Sequence, residues 1–429
     1  MNVMVIGGGG REHAIAVKIK ESSRLTKLYA APGSDGMSDI AECVPFKVTD
    51  TAEIVAFAKE KNIEMVFIGP EVPLLNGLAD ALLAENIMVL GPSKDAAELE
   101  GSKAFSKGIM KKYGIPTGDY EVFTDCAEAL QYLETAAYPT VVKADGLAAG
   151  KGVIIAETKE EAVDAVKSMM EDKVFGESGS RVVIEEFLEG EELSLLGFTD
   201  GKTVVPMIPS QDHKRIDDND MGLNTGGMGA YAPAPVGSAE VIEEAMEKVM
   251  KPLVDAMAKE GKPYRGVLYA GLMVSEKGVK VLEFNARFGD PETQVILPRL
   301  HADLVDIMVA VAAGKPEDIQ LDWYDSWAVC VVLASEGYPG SYEKGKVILG
   351  VDEANAMQGV TVFHAGTAFN LDEEFVTAGG RVLNVVALGD SFEKARDRAY
   401  EAVDAINFEG KQFRTDIGKK ASIGRSAWE

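Results

Sequence analysis

The segment Glu283-Phe284-Asn285-Ala286-Arg287-Phe288-Gly289-Asp290-Pro291-Glu292 carries the most specific chemistry in the sequence. On a strand, Glu283 and Asn285 lie two apart and share a face, while Phe284 faces the core. A carboxylate and an amide oxygen are hard ligands, suited to a Mg²⁺ ion that bridges polyphosphate oxygens. The structural alternative is a half-buried strand end closed by a capping Asn. Residues 209–233 form a second candidate, with no apolar periodicity but with Asp212, Lys214, Arg215, Asn224, Thr225 and the paired glycines Gly226 and Gly227. Loops of this length in a compact protein are functional or disordered, and this mixture of groups suits a substrate loop.

Two glycine-rich stretches invite a phosphate reading. Ala144-Asp145-Gly146-Leu147-Ala148-Ala149-Gly150-Lys151-Gly152 is near a Walker loop, which needs four residues between its glycines, a Ser or Thr after the Lys and a following helix. Here three residues intervene, Gly152 follows Lys151, and Val153-Ile154-Ile155 continues as a strand. The expectation is a lid within a β-hairpin, flanked by Lys143 and Lys151, whose small residues let the backbone close over phosphates. Gly7-Gly8-Gly9-Gly10 follows a strand and opens a helix, but the dinucleotide fingerprint fails because its third glycine position falls on Glu12 or His13. That turn either aims N–H groups at a small phosphate-bearing ligand, with Arg11 as cationic partner, or is a tight structural turn. The acidic run Glu185-Glu186-Phe187-Leu188-Glu189-Gly190-Glu191-Glu192 after a strand is a solvated rim or an adenine hinge. A hinge needs a backbone acceptor and donor, an apolar side chain and a carboxylate for ribose hydroxyls, and the run has all four. The histidines His13, His213, His301 and His364 show no metal-ligand spacing, and His301 reads as structural.

Strand-like runs at 2–6, 28–30, 65–68 and 87–90, with helical patterns at 51–61 and 74–85, imply a parallel sheet. Thr140–Lys143, Val153–Ile155, a helix over 159–170 and Val182–Ile184 point to a small antiparallel lobe. A helix over 239–260 and a hairpin of 267–274 with 279–284 follow. Runs at 328–334, 361–363 and 382–388 precede a helix capped by Asp390. Length and charge bound the rest: 429 residues call for several domains, and 43 Lys+Arg against 69 Asp+Glu give −26, against generic binding to nucleic acid or anionic lipid. No apolar run approaches the ~18 residues of a membrane span. With Cys43, Cys126 and Cys330 isolated and no leader-like start, a reducing, cytoplasmic location is expected.

With lid, hinge and metal strand in this order, the chain resembles the ATP-grasp ligases. Gly7–His13, Gly101-Ser102-Lys103, Lys143–Gly152, Ser210–Pro233 and Arg287–Glu292 are similar to the glycinamide ribonucleotide synthetase family, over the whole chain. The resemblance implies an N-terminal parallel α/β domain over 1–102, an ATP-grasp core over 103–327 with a small mobile lobe at about 121–190, and a C-terminal α/β domain over 328–429. It implies ATP contacts from Lys103, Lys143, Gly146, Gly150, Lys151, Gly152, Glu185, Glu186, Leu188 and Glu192. Mg²⁺ or Mn²⁺ would sit on Glu283 and Asn285, and Ala270-Gly271-Leu272 stands where many ATP-grasp enzymes place a further acidic ligand. Substrates would meet Gly9, Gly10, Arg11, Glu12, His13, Asp212, Lys214, Asn224, Thr225, Gly226, Gly227, Arg287 and Asp290, with Arg287 and Lys151 catalytic. The implied reaction joins glycine to 5-phosphoribosylamine with ATP, in purine biosynthesis, through glycyl phosphate. Partners would be those small molecules and, transiently, the enzyme supplying phosphoribosylamine, with no nucleic acid and no membrane. The rivals are another ATP-grasp ligase or carboxylase of purine metabolism and a non-catalytic ATP-binding regulatory module.

Overall fold

The computed structural model describes residues 1–148, 152–315 and 318–424. The N-terminal sheet is parallel throughout, in the order Glu42–Cys43, Lys27–Pro32, Asn2–Gly7, Met65–Ile68, Met88–Leu90. Val3, Met4, Val5 and Ile6 are all fully buried, as a strand covered on both faces requires. The chain reverses its winding across the first strand, so the crevice at the carboxyl ends of Asn2–Gly7 and Met65–Ile68 is the switch point where such sheets bind ligands. The expected helix over 74–85 is two helices, Glu71–Leu75 and Leu78–Ala84, because Gly77 between them takes a left-handed φ of 83°.

The small lobe is a four-stranded antiparallel sheet, ordered Tyr120–Phe123, Val182–Glu186, Thr140–Ala144, Val153–Ala156. Helices Cys126–Leu133 and Lys159–Met170 start on side-chain caps from Asp125 and Thr158. Their apolar stripes and the sheet make a core of their own, with Val142, Ala144, Val166, Met169, Val182 and Ile184 buried in it. Facing it is a second antiparallel sheet, ordered Val204–Pro206, Glu191–Asp200, Arg265–Ser275, Gly278–Asn285. Its strand Glu191–Asp200 belongs with the main core through Leu193 and Leu195. The helical stretch expected at 239–260 runs Ala239–Ala245, Met246–Met250 in wider π geometry, and Lys251–Lys259.

The third large sheet joins Gln211–Asp212, Gly229–Ala232, Trp327–Ser335, Arg381–Gly389 and Val360–His364, and Lys411–Gln412 pairs with Trp327–Ser335. Two of these strands come from residues 209–233, which are therefore built into the C-terminal sheet. The hairpin Arg215–Asp217 with Met221–Asn224 lies between them. Helix Phe392–Ala405 packs on this sheet, and its cap is Ser391, accepting from Lys394 N, one residue later than expected. Among the described residues no helix is long and apolar enough to cross a membrane.

Candidate active site

The helix Lys103–Tyr113 begins at Ser102, whose hydroxyl accepts from Phe105 N at 3.0 Å. Asp145, at the start of the lid, ties itself to that terminus through Ala104 N at 2.6 Å and Ser102 Oγ at 3.2 Å. Lys103 Nζ donates to Gly146 O at 3.2 Å, so the first arm of the lid rests on this lysine. Burial lowers the Lys103 pKa, with Lys143 adding to the effect and Glu283 opposing it. Gly146 and Gly152 are needed for space, since an added Cβ would lie 2.6 Å from Ser178 Oγ and 2.5 Å from Ala148 Cβ respectively. Gly150 and Lys151, expected in the lid, lie outside the described residues.

Glu185 sits between two buried lysines, Lys143 at 2.9 Å and Lys107 at 3.0 Å. Lys107 escaped the sequence reading, although it lies four residues after Lys103 and so on the same helix face. It also donates to Thr117 Oγ1 at 2.8 Å, and burial depresses its pKa. Lys143 reaches across to Leu282 O at 3.3 Å. That carbonyl is available because the strand pairing slips there: Gly271 faces Glu283, while Leu272 faces Val281, leaving Leu282 as an extra residue. Glu186, expected at the nucleotide, instead points outward and braces Asp119 N and Lys280, both at 3.1 Å. Glu192 pairs with Lys214 at 2.9 Å. The Leu188 position follows the hinge strand.

Burial favours a neutral Glu283, but Lys214, Lys143, Lys103 and Arg287 outweigh it and hold its pKa below the usual value. An ionised carboxylate beside the Asn285 amide fits a hard divalent cation that takes its remaining oxygens from phosphates and water. Among the described residues no cluster of three or more His, Cys, Asp or Glu forms an all-protein metal cage. Arg287, expected to stabilise the reacting acyl phosphate, is committed elsewhere. Its guanidinium meets Glu100 at 2.9 Å, Glu71 at 3.4 Å and Asn285 Oδ1 at 3.2 Å, which makes it a brace for the Asn285 amide. Glu100 and Glu71 come from the N-terminal domain, where sequence offered no hint of them.

A second acidic group lies beside this strand. Tyr269 OH donates to Glu292 Oε1 at 2.6 Å, and Ser194 Oγ lies 2.9 Å from the same phenol. Asp212 is close enough to Glu292 and Glu283 for their charges to act on it. Burial, against the pull of Lys214, pushes the Asp212 pKa up to about 8. Thr225 supports the neighbouring turn, donating to Lys214 O and accepting from Gly227 N, both at 2.9 Å. Asn224 lies in the hairpin opposite Arg215.

The N-terminal turn differs from its expected form. Gly9 N donates to Glu12 Oε2 at 2.8 Å and Arg11 N to Asp290 Oδ2 at 3.4 Å, so the chain's own carboxylates take these anion positions. Arg11 is buried, with Nε on Glu12 at 2.6 Å and Nη1 on Phe288 O at 3.1 Å. Arg11 and Glu12 thus prop the turn, Glu12 filling the space where Gly7 and Gly69 lack side chains. His13 is a link between domains, since its Nδ1 accepts from His364 N at 2.9 Å and burial lowers its pKa to about 3. Gly10 abuts Asn384, whose Nδ2 lies 2.1 Å from where a Cβ would be.

A lysine-lined antiparallel lobe facing a second sheet that carries a Glu and an Asn on its last strand defines the ATP-grasp class. Family models agree with this arrangement along the chain: the N domain of phosphoribosylglycinamide synthetase matches residues 1–100, its ATP-grasp (A) domain 101–293 and its C domain 328–420. The phosphoribosylamine–glycine ligase of Halalkalibacterium halodurans is 51% identical, over 99% of this chain and 98% of its own length. The crystal structure of the Thermotoga maritima phosphoribosylamine–glycine ligase superposes with a TM-score of 0.84 at 34% identity, covering 97% of this chain and 100% of that one. A biotin carboxylase domain from Hydrogenobacter thermophilus, solved with MgADP, shares the fold at a TM-score of 0.72 and 19% identity, over 96% of this chain and 91% of its own. The chain belongs to the phosphoribosylglycinamide synthetase family.

Proposed function

We infer that the protein is an ATP-dependent ligase that joins glycine to 5-phosphoribosylamine, giving glycinamide ribonucleotide, ADP and phosphate. The observation that carries this reading is the convergence, on one strand end, of a nucleotide side with Lys103, Lys107 and Lys143 and an acceptor side with Asp290 and the Gly226–Gly227 turn. A glycine carboxylate oxygen attacks the γ-phosphorus of ATP, the bond to ADP breaks, and glycyl phosphate forms. The amine nitrogen of phosphoribosylamine then attacks the acyl carbon, the carbon–oxygen bond to phosphate breaks, and the amine releases a proton.

Such a sequence needs positioning and charge neutralisation more than a covalent nucleophile. The three lysines offset the repulsion between carboxylate and triphosphate, and Glu185 keeps two of them in place. Glu283 and Asn285 would hold Mg²⁺ or Mn²⁺, which when bound neutralises phosphate charge. The Glu292 carboxylate, with Asp212 beside it protonated until an incoming cation favours its ionised form, offers an acceptor recess that suits an ammonium group such as that of glycine. Asp290, held below the usual carboxylate pKa by Arg381 and Arg11 against the effect of burial, presents an acceptor toward the sugar. Gly146 and Gly152 let the lid backbone approach the phosphates, where exclusion of water protects the intermediate.

The test is phosphate release by the purified protein with ATP and a divalent cation. Release should require glycine and phosphoribosylamine together and should yield glycinamide ribonucleotide by mass. Release driven equally well by bicarbonate would replace this reading with a carboxylase.

A further inference from the structure

The Gly226–Gly227 turn and the Asp290–Pro291 turn come from distant parts of the chain, and a single guanidinium nitrogen meets both. Arg381 opens the strand Arg381–Gly389 of the C-terminal sheet. Its Nη1 lies 2.8 Å from Gly226 O, 2.9 Å from Asp290 O, 3.3 Å from Gly227 O and 3.2 Å from Asp290 Oδ1. Tyr338, also from the C-terminal domain, accepts from Gly226 N at 3.1 Å. The two turns are pressed together so closely that an added Cβ on Gly227 would lie 2.4 Å from Pro291 Cδ, and Gly227 takes a φ of +116°. At Gly226 an added Cβ would meet Arg381 Cζ at 3.0 Å.

Three carbonyl oxygens and a carboxylate oxygen crowd one point, and without a cation there they would repel one another in a place where water screens them poorly. The Arg381 side chain is 21% exposed and that of Asp290 17%. Asp290 also accepts from Gln294 Nε2 at 2.9 Å and, from the N-terminal domain, Arg11 N at 3.4 Å. Three residues beyond Arg381, Asn384 abuts Gly10. One strand of the C-terminal sheet thus touches the N-terminal turn, the Asp290 turn and the substrate segment.

We propose that Arg381 is a positioning residue for the acceptor substrate: it holds the Asp290 carboxylate and the Gly226–Gly227 turn in the relation that binds phosphoribosylamine. The inference rests on the acceptor lying on this side of the site, as the proposed function places it. Arg381 acts through those two turns, and its removal therefore affects one ligand and spares the other.

The stable product, glycinamide ribonucleotide, is the probe for the acceptor side and ADP the probe for the nucleotide side, each measured by calorimetry on the full chain. Arg381→Met should weaken glycinamide ribonucleotide at least about tenfold and leave ADP within about twofold. Arg381→Lys should recover part of the loss, because one nitrogen makes the contacts. In an Asp290→Asn background the added loss from Arg381→Met should be clearly smaller than in the wild type, since the two share an interaction. Tyr338→Phe, a milder change to the same turn, should shift only glycinamide ribonucleotide, by about two- to fivefold. Unchanged product binding, equal weakening of both ligands, or strictly additive losses would each overturn the proposal. A wild-type protein that binds ADP but no glycinamide ribonucleotide would instead refute the functional reading beneath it.

Discussion

The two ends of the cleft are built on different plans. The nucleotide end is carried largely by the small lobe, whose core is separate from the rest and which reaches the body through polar links such as Lys143 to Leu282 O and Lys280 to Glu186. The end that the proposed function gives to the acceptor is assembled from all three family regions at once: Arg11 and Glu12 from the first, Asp290 from the second, Arg381 and Asn384 from the third. Polar links between separate cores can be exchanged without exposing apolar surface, whereas an interlocked junction cannot shift without leaving buried groups unpaired. On the proposed function, the contrast is between a nucleotide end whose polar links can adjust around a ligand and an acceptor end whose interlocked groups stand ready for one.

The largest effect is expected where the two ends meet. Glu283→Gln removes the carboxylate to which four cations direct their charge, and turnover should fall at least ~100-fold while the thermal midpoint stays close to wild type. Near-normal activity in a steady-state assay would break the metal assignment. Next come two variants that should behave as opposites. Asp290→Asn should raise the KM for phosphoribosylamine by about tenfold or more and leave that for ATP nearly unchanged, and Lys107→Met should do the reverse. Both variants raising both constants equally would dissolve the division into two ends.

A smaller effect on activity should follow from Ile184→Ala in the lobe core, a loss of about 2–5 kcal/mol at a fully buried site. Calorimetric unfolding should then show an early lobe transition, with ADP binding weakened and glycinamide ribonucleotide binding retained; one cooperative transition shifted as a whole would show that the lobe is not a separate unit. The smallest effect on turnover at neutral pH belongs to a stability test that varies pH. Burial lowers the pKa of His13 to about 3 and of His213 and His364 to about 4. Each stays neutral in the fold while the unfolded chain takes up a proton below about pH 6.5, so stability is full above that pH and is lost as pH falls toward 4. The slope is on the order of 1.4 kcal/mol per pH unit for each group. His13 and His364 lie at the junction, so His13→Gln should flatten the slope and a flat profile in the wild type would contradict their buried, neutral state.

Much of the nucleotide end was legible in the sequence because it is written in short stretches. Glu283 and Asn285 share a face by strand alternation, and Gly146 and Gly152 mark a close backbone approach. Lys107 was missed there, and its spacing from Lys103 was a usable signal. The acceptor end was legible as a set of residues but not as roles. Arg11, His13 and Arg287 look like ligands when read locally, yet they have partners up to hundreds of residues away, at Asp290, His364 and Glu100. No local pattern reveals that a charge is already balanced. Arg381 follows two glycines at a strand start, and nothing in that context announces the Gly226 and Asp290 carbonyls it meets.

The extra residue in strand Gly278–Asn285 acts as a frame shift. Below it the odd-numbered Val279 and Val281 pack in the main hydrophobic core; above it the even-numbered Phe284 does. In unbroken alternation Glu283 and Asn285 would be in phase with those valines and would point a carboxylate into hydrocarbon. One supernumerary position, Leu282, lets a single strand carry a core message and a ligand message in opposite phase, and flattening the bulge with every residue kept would turn Glu283 and Asn285 inward.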